Sequence, residues 1–186
     1  MYESKINNVI NNSKTIENKI SFTKVKNNEY YGTFNVKNTN ILLDKIINIE
    51  LIQLLPDLNK DIFEESYFEK INGEEARVIF VLKHFFEDLG IPRFYMFLKL
   101  TRINLYCFEL TTIFDKPNNV SDELKLLNIS IIQNYELRGN HDCTFCYQVN
   151  LSDNTNITPI IEKMITQIFI KTFKRLKQFI ENIKIT

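Results

Sequence analysis

Apolar and polar residues repeat with two different periods along this chain, and each change of period marks a boundary between elements. Over residues 5–20, Ile6, Val9, Ile10, Ile16 and Ile20 stand at helical spacing among Asn, Lys and Ser, which predicts a weakly amphipathic helix that depends on docking. Residues 21–26 and 29–37 then read as two strands around a turn at Asn27-Asn28, with Tyr30, Gly32, Phe34 and Val36 alternating with polar positions. Between residues 40 and 55 the steps lengthen to three and four, through Ile41, Leu42, Ile46, Ile49 and Ile52, until Pro56. That spacing predicts a helix capped by Thr39 or Asn40, followed by a further helical turn over 57–60.

Strand signals dominate the next ninety or so residues, which are rich in β-branched and aromatic side chains. Segments 62–71 and 76–86 flank Asn72-Gly73, a hairpin signal; Gly90-Ile91-Pro92 precedes a strand over 94–103, and Asn104 separates it from 105–114. A polar loop spans 115–123. After it, Ile129, Ile131, Tyr135 and Leu137 share one strand face. Beyond Gly139-Asn140, Cys143, Phe145, Tyr147, Val149 and Leu151 share another. Period-two alternation means one buried face and one wet face, and hence an antiparallel meander. The last segment opens with Thr158 as N-cap and Pro159 at the first helical position. Its stripe runs through Ile161, Met164, Ile165, Ile168, Phe169, Phe173, Leu176, Ile180 and Ile183. These elements predict an α+β fold: a curved antiparallel β-sheet gripping a long C-terminal α-helix, with an additional N-terminal helix and a helix pair. No repeat or boundary divides residues 1–186, so one domain is expected.

Composition narrows the partners. The 23 basic and 23 acidic residues cancel, so no overall field draws a nucleic-acid backbone to the chain. No stretch has the roughly 20 uncharged residues of a membrane span, and no apolar leader opens the sequence. Three cysteines, an odd number, suit reduced thiols in the cytoplasm. The several Asn-x-Ser/Thr triplets are expected by chance in so Asn-rich a chain.

In element order, and at three short motifs, the chain resembles the START (StAR-related lipid transfer) family of the helix-grip superfamily. Gly90-Ile91-Pro92-Arg93-Phe94 resembles the family's Pro-Arg-Asp-Phe strand opening, without the Asp. Val149-Asn150-Leu151-Ser152-Asp153 followed by Ile157-Thr158-Pro159 resembles its Asp-x-x-Gly-x-Ile-Pro lead into the last helix, with the Gly absent and Thr158 inserted. Tyr30-Tyr31-Gly32-Thr33-Phe34 stands where the family has its second strand. The resemblance implies a START-like helix-grip fold, a hydrophobic cavity between sheet and helix, a lipid ligand of phospholipid or sterol class, and loops that act as a lid. A physical argument points the same way. A cylinder and a concave sheet cannot touch everywhere, and the mismatch leaves apolar space of the kind small molecules occupy. The alternative is that the 15 Phe and 8 Tyr fill that space.

If the more apolar face points inward, Phe80, Leu82, His84, Met96, Leu98, Arg102, Phe108, Leu110, Tyr135, Phe145 and Tyr147 line the cavity opposite Met164, Ile165, Ile168 and Phe169. His84 and Arg102 then suit a lipid headgroup or carboxylate; alternatively His84 bonds a backbone carbonyl and Arg102 reaches water. Lys171, Lys174, Arg175 and Lys177 form a positive cluster that suits transient contact with a membrane surface, or simply a solvated helix end. Arg93 is expected in a structural ion pair with Glu109 or Asp88. His141-Asp142-Cys143-x-x-Cys146 has zinc-ligand spacing, but a strand turns Cys143 and Cys146 to opposite sides, so no metal is expected. Glu64-Glu65 and Glu74-Glu75 diverge for the same reason. No nucleotide-binding or nucleophile-elbow signature occurs, so no cofactor and no catalytic residue is expected. The reading is a non-enzymatic, monomeric, cytoplasmic carrier that transfers lipid between membranes and binds no nucleic acid. The rivals are a START-superfamily enzyme of cyclase or hydrolase type, and an interaction domain with a filled core.

Overall fold

The computed structural model describes residues 20–85, 90–152 and 158–184. The helix expected over residues 5–20 falls outside this range, save for Ile20. Strands β1 (Ser21–Lys26) and β2 (Glu29–Lys37) form the first hairpin. Asn28 takes up the left-handed turn with φ of 60°, a conformation that asparagine tolerates better than most residues.

The single helix expected over 40–55 is broken into three pieces: α1 (Leu43–Ile46), a 3-10 turn (Ile49–Gln53) and α2 (Leu54–Leu58). Local chemistry explains the break. Asn48 is extended, and its side chain accepts a bond from Glu50 N, which restarts the chain as a 3-10 turn. Neither Thr39 nor Asn40 caps the start. Leu42 occupies the N-cap without a side-chain bond, while Asn40 N donates to Asn38 Oδ1. Pro56 lies inside α2, in its first turn, where a missing N–H costs nothing.

The meander follows: β3 (Phe63–Lys70), β4 (Glu75–Leu82), β5 (Phe94–Asn104), β6 (Cys107–Thr112), the short β7 (Lys125–Leu126), β8 (Ile129–Leu137) and β9 (Asp142–Leu151). The Asn72-Gly73 turn is held by Asn72, whose side-chain oxygen accepts from Glu74 N and Glu75 N. Strand order is β1-β2-β9-β8-β6-β5-β4-β3, with β7 joined in parallel to the start of β5. The other pairs are antiparallel. The first hairpin therefore docks on β9, and the described sheet is open, with edges at β1 and β3. The unbroken apolar run Val78–Leu82 is buried on both faces. Its outward residues Ile79 and Val81 are covered, with Tyr95, by Val120 and Leu124 of the loop before β7 and by Leu126 of β7.

Helix α3 (Pro159–Asn182) lies on the inner face. Thr158 caps it by accepting a bond from Ile161 N, with Pro159 at the first position. Its 24 residues span about 36 Å at 1.5 Å per residue. The far end is fastened to the sheet by Asn38, 3% exposed, whose amide donates to Ile180 O (2.6 Å) and Ile183 O (2.9 Å). Ile183 O, past the helix end, gains a partner in this way, and Ile180 O, which also accepts from Ile183 N, gains a second.

Candidate functional site

Alternation fixes which side chains meet α3. From β4 come Phe80 and Leu82, from β5 Met96 and Leu98, from β6 Leu110, from β8 Ile129 and Ile131, and from β9 Tyr147. The helix presents Met164, Ile165, Ile168 and Phe169 to the same space, and α2 with the preceding turn adds Leu55 and Ile52. Together they enclose an apolar hollow of about 90 Å³. That is below the roughly 300 Å³ at which small-molecule pockets begin. A lipid-sized guest therefore requires the walls to part. Met96 and Met164 are the wall residues best suited to this, because an unbranched thioether repacks easily.

Five of the sequence-predicted lining residues stand elsewhere. Phe108, Tyr135 and Phe145 point inward but are packed edge-to-face on one another, with centroids at 5.6 and 4.8 Å, and so fill the end of the grip beyond the hollow. Arg102 is on the inward phase but at the far end of its strand. There its guanidinium lies over the Phe108 ring at 5.6 Å and reaches Glu74. His84 is exposed because β4 ends at Leu82, and its Nε2 lies 2.7 Å from Ile91 O.

His84 instead borders a wide open cleft of about 1030 Å³, with Lys60, Lys83 and Arg93 facing Asp57, Glu64, Glu65 and Glu123. Phe63 lines both this cleft and the hollow, so one ring separates charged surface from apolar interior. Arg93 pairs with Glu64 across the cleft wall, rather than with Glu109.

The basic cluster on α3 is mostly committed. Lys171 and Arg175 both pair with Asp61, just after α2, and the two cations hold its carboxyl well below the usual aspartate value. Lys177 pairs with Glu181 and donates to Asn35 O. Lys174 is exposed and has no ion pair among the described residues. The first three therefore clamp the helix rather than offer a free positive surface.

Cys143 is buried on the inner face, and burial pushes its thiol up to about 12. Cys146 is buried on the opposite face beside Thr33. His141 Nδ1 lies 2.8 Å from Ile41 O and 3.1 Å from Asn38 O, fastening the segment after β2. Among the described residues no group of three or more His, Cys, Asp or Glu side chains converges as a metal site.

Two polar residues of the hollow were missed in the sequence. Gln133 and Thr172 both line it, each 8% exposed. The signal was present: Gln133 continues the Ile129–Ile131 face by two, and Thr172 follows Ile168 by four. Among the described residues Tyr147 is the sole titratable group on the lining, and burial raises its hydroxyl well above the ordinary tyrosine value.

No protein-family model and no curated protein matches this sequence. Solved structures do. Human StAR-related lipid transfer protein 5 superposes with a TM-score of 0.58 at 8% identity, covering 96% of this chain and 93% of that one. The human StarD13 lipid transfer and protein localization domain gives 0.57 at 9% identity, over 96% and 97%. A STAR-related lipid transfer protein from Xanthomonas axonopodis gives 0.58 at 12% identity, over 87% and 98%. The chain has a START-like helix-grip fold.

Proposed function

We propose that residues 1–186 act as one lipid-binding domain, which takes a lipid or other hydrophobic ligand between the sheet and α3 and carries it between membranes without chemistry. The observation that supports this most is the lining itself. Sheet, helix and helix pair surround an apolar hollow that, among the described residues, no Asp, Glu, Lys, Arg or His borders. General acid–base catalysis needs positioned titratable groups near the working pH, and a lone buried Tyr147 with a raised pKa does not provide them. The lipid transfer named for the similar human and bacterial structures agrees with this reading.

Exchange takes place at a membrane surface approached by the charged cleft, which Lys60, Lys83 and His84 line together with Phe63. Among the described residues no helix is long and apolar enough to cross a membrane, in keeping with transient contact. The thiols of Cys107, Cys143 and Cys146 are unpaired, which suits the reducing cytoplasm. The carrier works as a monomer, without nucleic acid.

The test is native mass spectrometry of the purified chain, with organic extraction of what it carries and a liposome-to-liposome transfer assay. Bound lipid and transfer are expected, and both should fall about tenfold or more in Ile165→Phe, whose ring occupies the hollow, with folding retained because added volume costs about 1–3 kcal/mol. Absence of lipid together with absence of transfer rejects the reading.

A further inference from the structure

The hollow is not uniformly greasy, and its polar corner has a definite composition. Gln133 of β8 stands directly across from Tyr147 of β9 in the sheet register. Tyr147 stacks on Phe173 of α3 with centroids 4.5 Å apart, which brings the neighbouring Thr172 to the same wall. Gln133, Tyr147 and Thr172 all line the hollow.

The hydrogen bonds of this corner stop short. The Tyr135 hydroxyl donates to Gln133 Oε1 at 2.9 Å. That occupies the amide oxygen. The Thr172 hydroxyl is buried and has no partner among the described residues. A helical threonine ordinarily turns its hydroxyl back to the carbonyl four residues earlier, as Thr166 does to Glu162 O at 3.0 Å. Thr172 makes no such bond. Buried polar groups left unpaired carry a desolvation cost that a fitting ligand atom removes.

We infer that this corner receives a single uncharged oxygen of the ligand, so that the cargo is a neutral lipid whose one small polar group, a hydroxyl or carbonyl, lies buried against Gln133 and Thr172. A hydroxyl fits best, since it both donates and accepts and so matches either end of the amide and the threonine together. A carboxylate, phosphate or quaternary ammonium does not suit the corner, because among the described residues no countercharge lines the hollow and a buried unpaired ion is costly. The inference rests on the carrier reading and adds to it the chemistry of the cargo.

The experiment displaces a fluorescent hydrophobic reporter from the full chain with 1-octanol, n-nonane and octanoate at neutral pH. Octanol and nonane are expected to displace it and octanoate to do so more weakly. Thr172→Val and Gln133→Leu should each weaken octanol about tenfold, the worth of a hydrogen bond of roughly 1.4 kcal/mol, while leaving nonane unchanged or tighter. Thr172→Ser restores octanol, and melting curves of all variants check the fold. Octanol and nonane shifting alike, or neither shifting, overturns the polar corner while leaving a carrier intact. Displacement by none of the three overturns both.

Discussion

Helix α3 meets two unlike surfaces. Toward β1, β2 and β9 it packs on rings: Phe169 stacks on Phe22 at 4.6 Å, and Phe173 contacts Phe34 at 5.3 Å and Tyr147 at 4.5 Å. Phe34 in turn stacks on Phe145 at 4.8 Å. Toward β4, β5 and β6 the same helix faces a mostly aliphatic wall across the hollow, Leu82, Met96, Leu98 and Leu110 with the rings of Phe80 and Phe94 among them. Flat rings stack without gaps and gain energy beyond their buried area, whereas branched and flexible aliphatic chains under a straight cylinder leave space. The helix is thus anchored along one side and only leans on the other. A grip of this kind both holds its shape and admits a guest.

The comparison breaks most readily at its anchored side. Phe34→Ala is expected to cost about 3–5 kcal/mol, and Met96→Ala, which borders existing space, about 2 kcal/mol, the low end for such truncations. Urea unfolding of the two variants decides the matter, and a larger loss at Met96 would reverse the roles of the two sides. Next in size is Gly32→Ala. A Cβ there would lie 2.6 Å from Phe173 Cε2 and 2.9 Å from Phe22 Cδ2. Both rings are held by stacking neighbours, so overpacking should cost about 1–3 kcal/mol in a thermal melt; a neutral result would mean that the anchor is loose.

The smallest effect concerns the clamp on the leaning side. Asp61→Asn removes the partner of Lys171 and Arg175. Because these side chains are largely exposed, the expected loss is about 0–1 kcal/mol. The sign with pH is fixed by the lowered Asp61 pKa. The clamp contributes fully above the unfolded-state value of about 3.9 and is lost as pH falls through the folded value. The difference in melting temperature between the native chain and the variant should therefore shrink in acid below about pH 4. It should also shrink in high salt. A difference that persists in both would assign Asp61 a role other than charge.

Much of the fold was legible because its signals are local. Alternation located the strands, asparagine and glycine marked the turns, and Thr158-Pro159 marked the start of α3. The break over residues 40–55 was hidden because three- and four-residue spacing does not distinguish one helix from short pieces on a shared buried side. His84 was misplaced for a related reason: alternation continues on paper past Leu82, while the strand itself ends there. At the site, the apolar wall was readable from facing periods, but Gln133 and Thr172 were passed over as polar letters within apolar faces.

The order of elements, the inward faces of the strands and the long amphipathic helix were settled by the sequence alone, since each depends on residues close together in the chain. Tertiary structure alone decided that the first hairpin pairs with β9, that aromatic rings close one side of the grip, and that space is left on the other. Those outcomes depend on how side chains distant in sequence fit together. Volume and unpaired hydrogen-bonding groups are properties of that fit, and no periodicity encodes them.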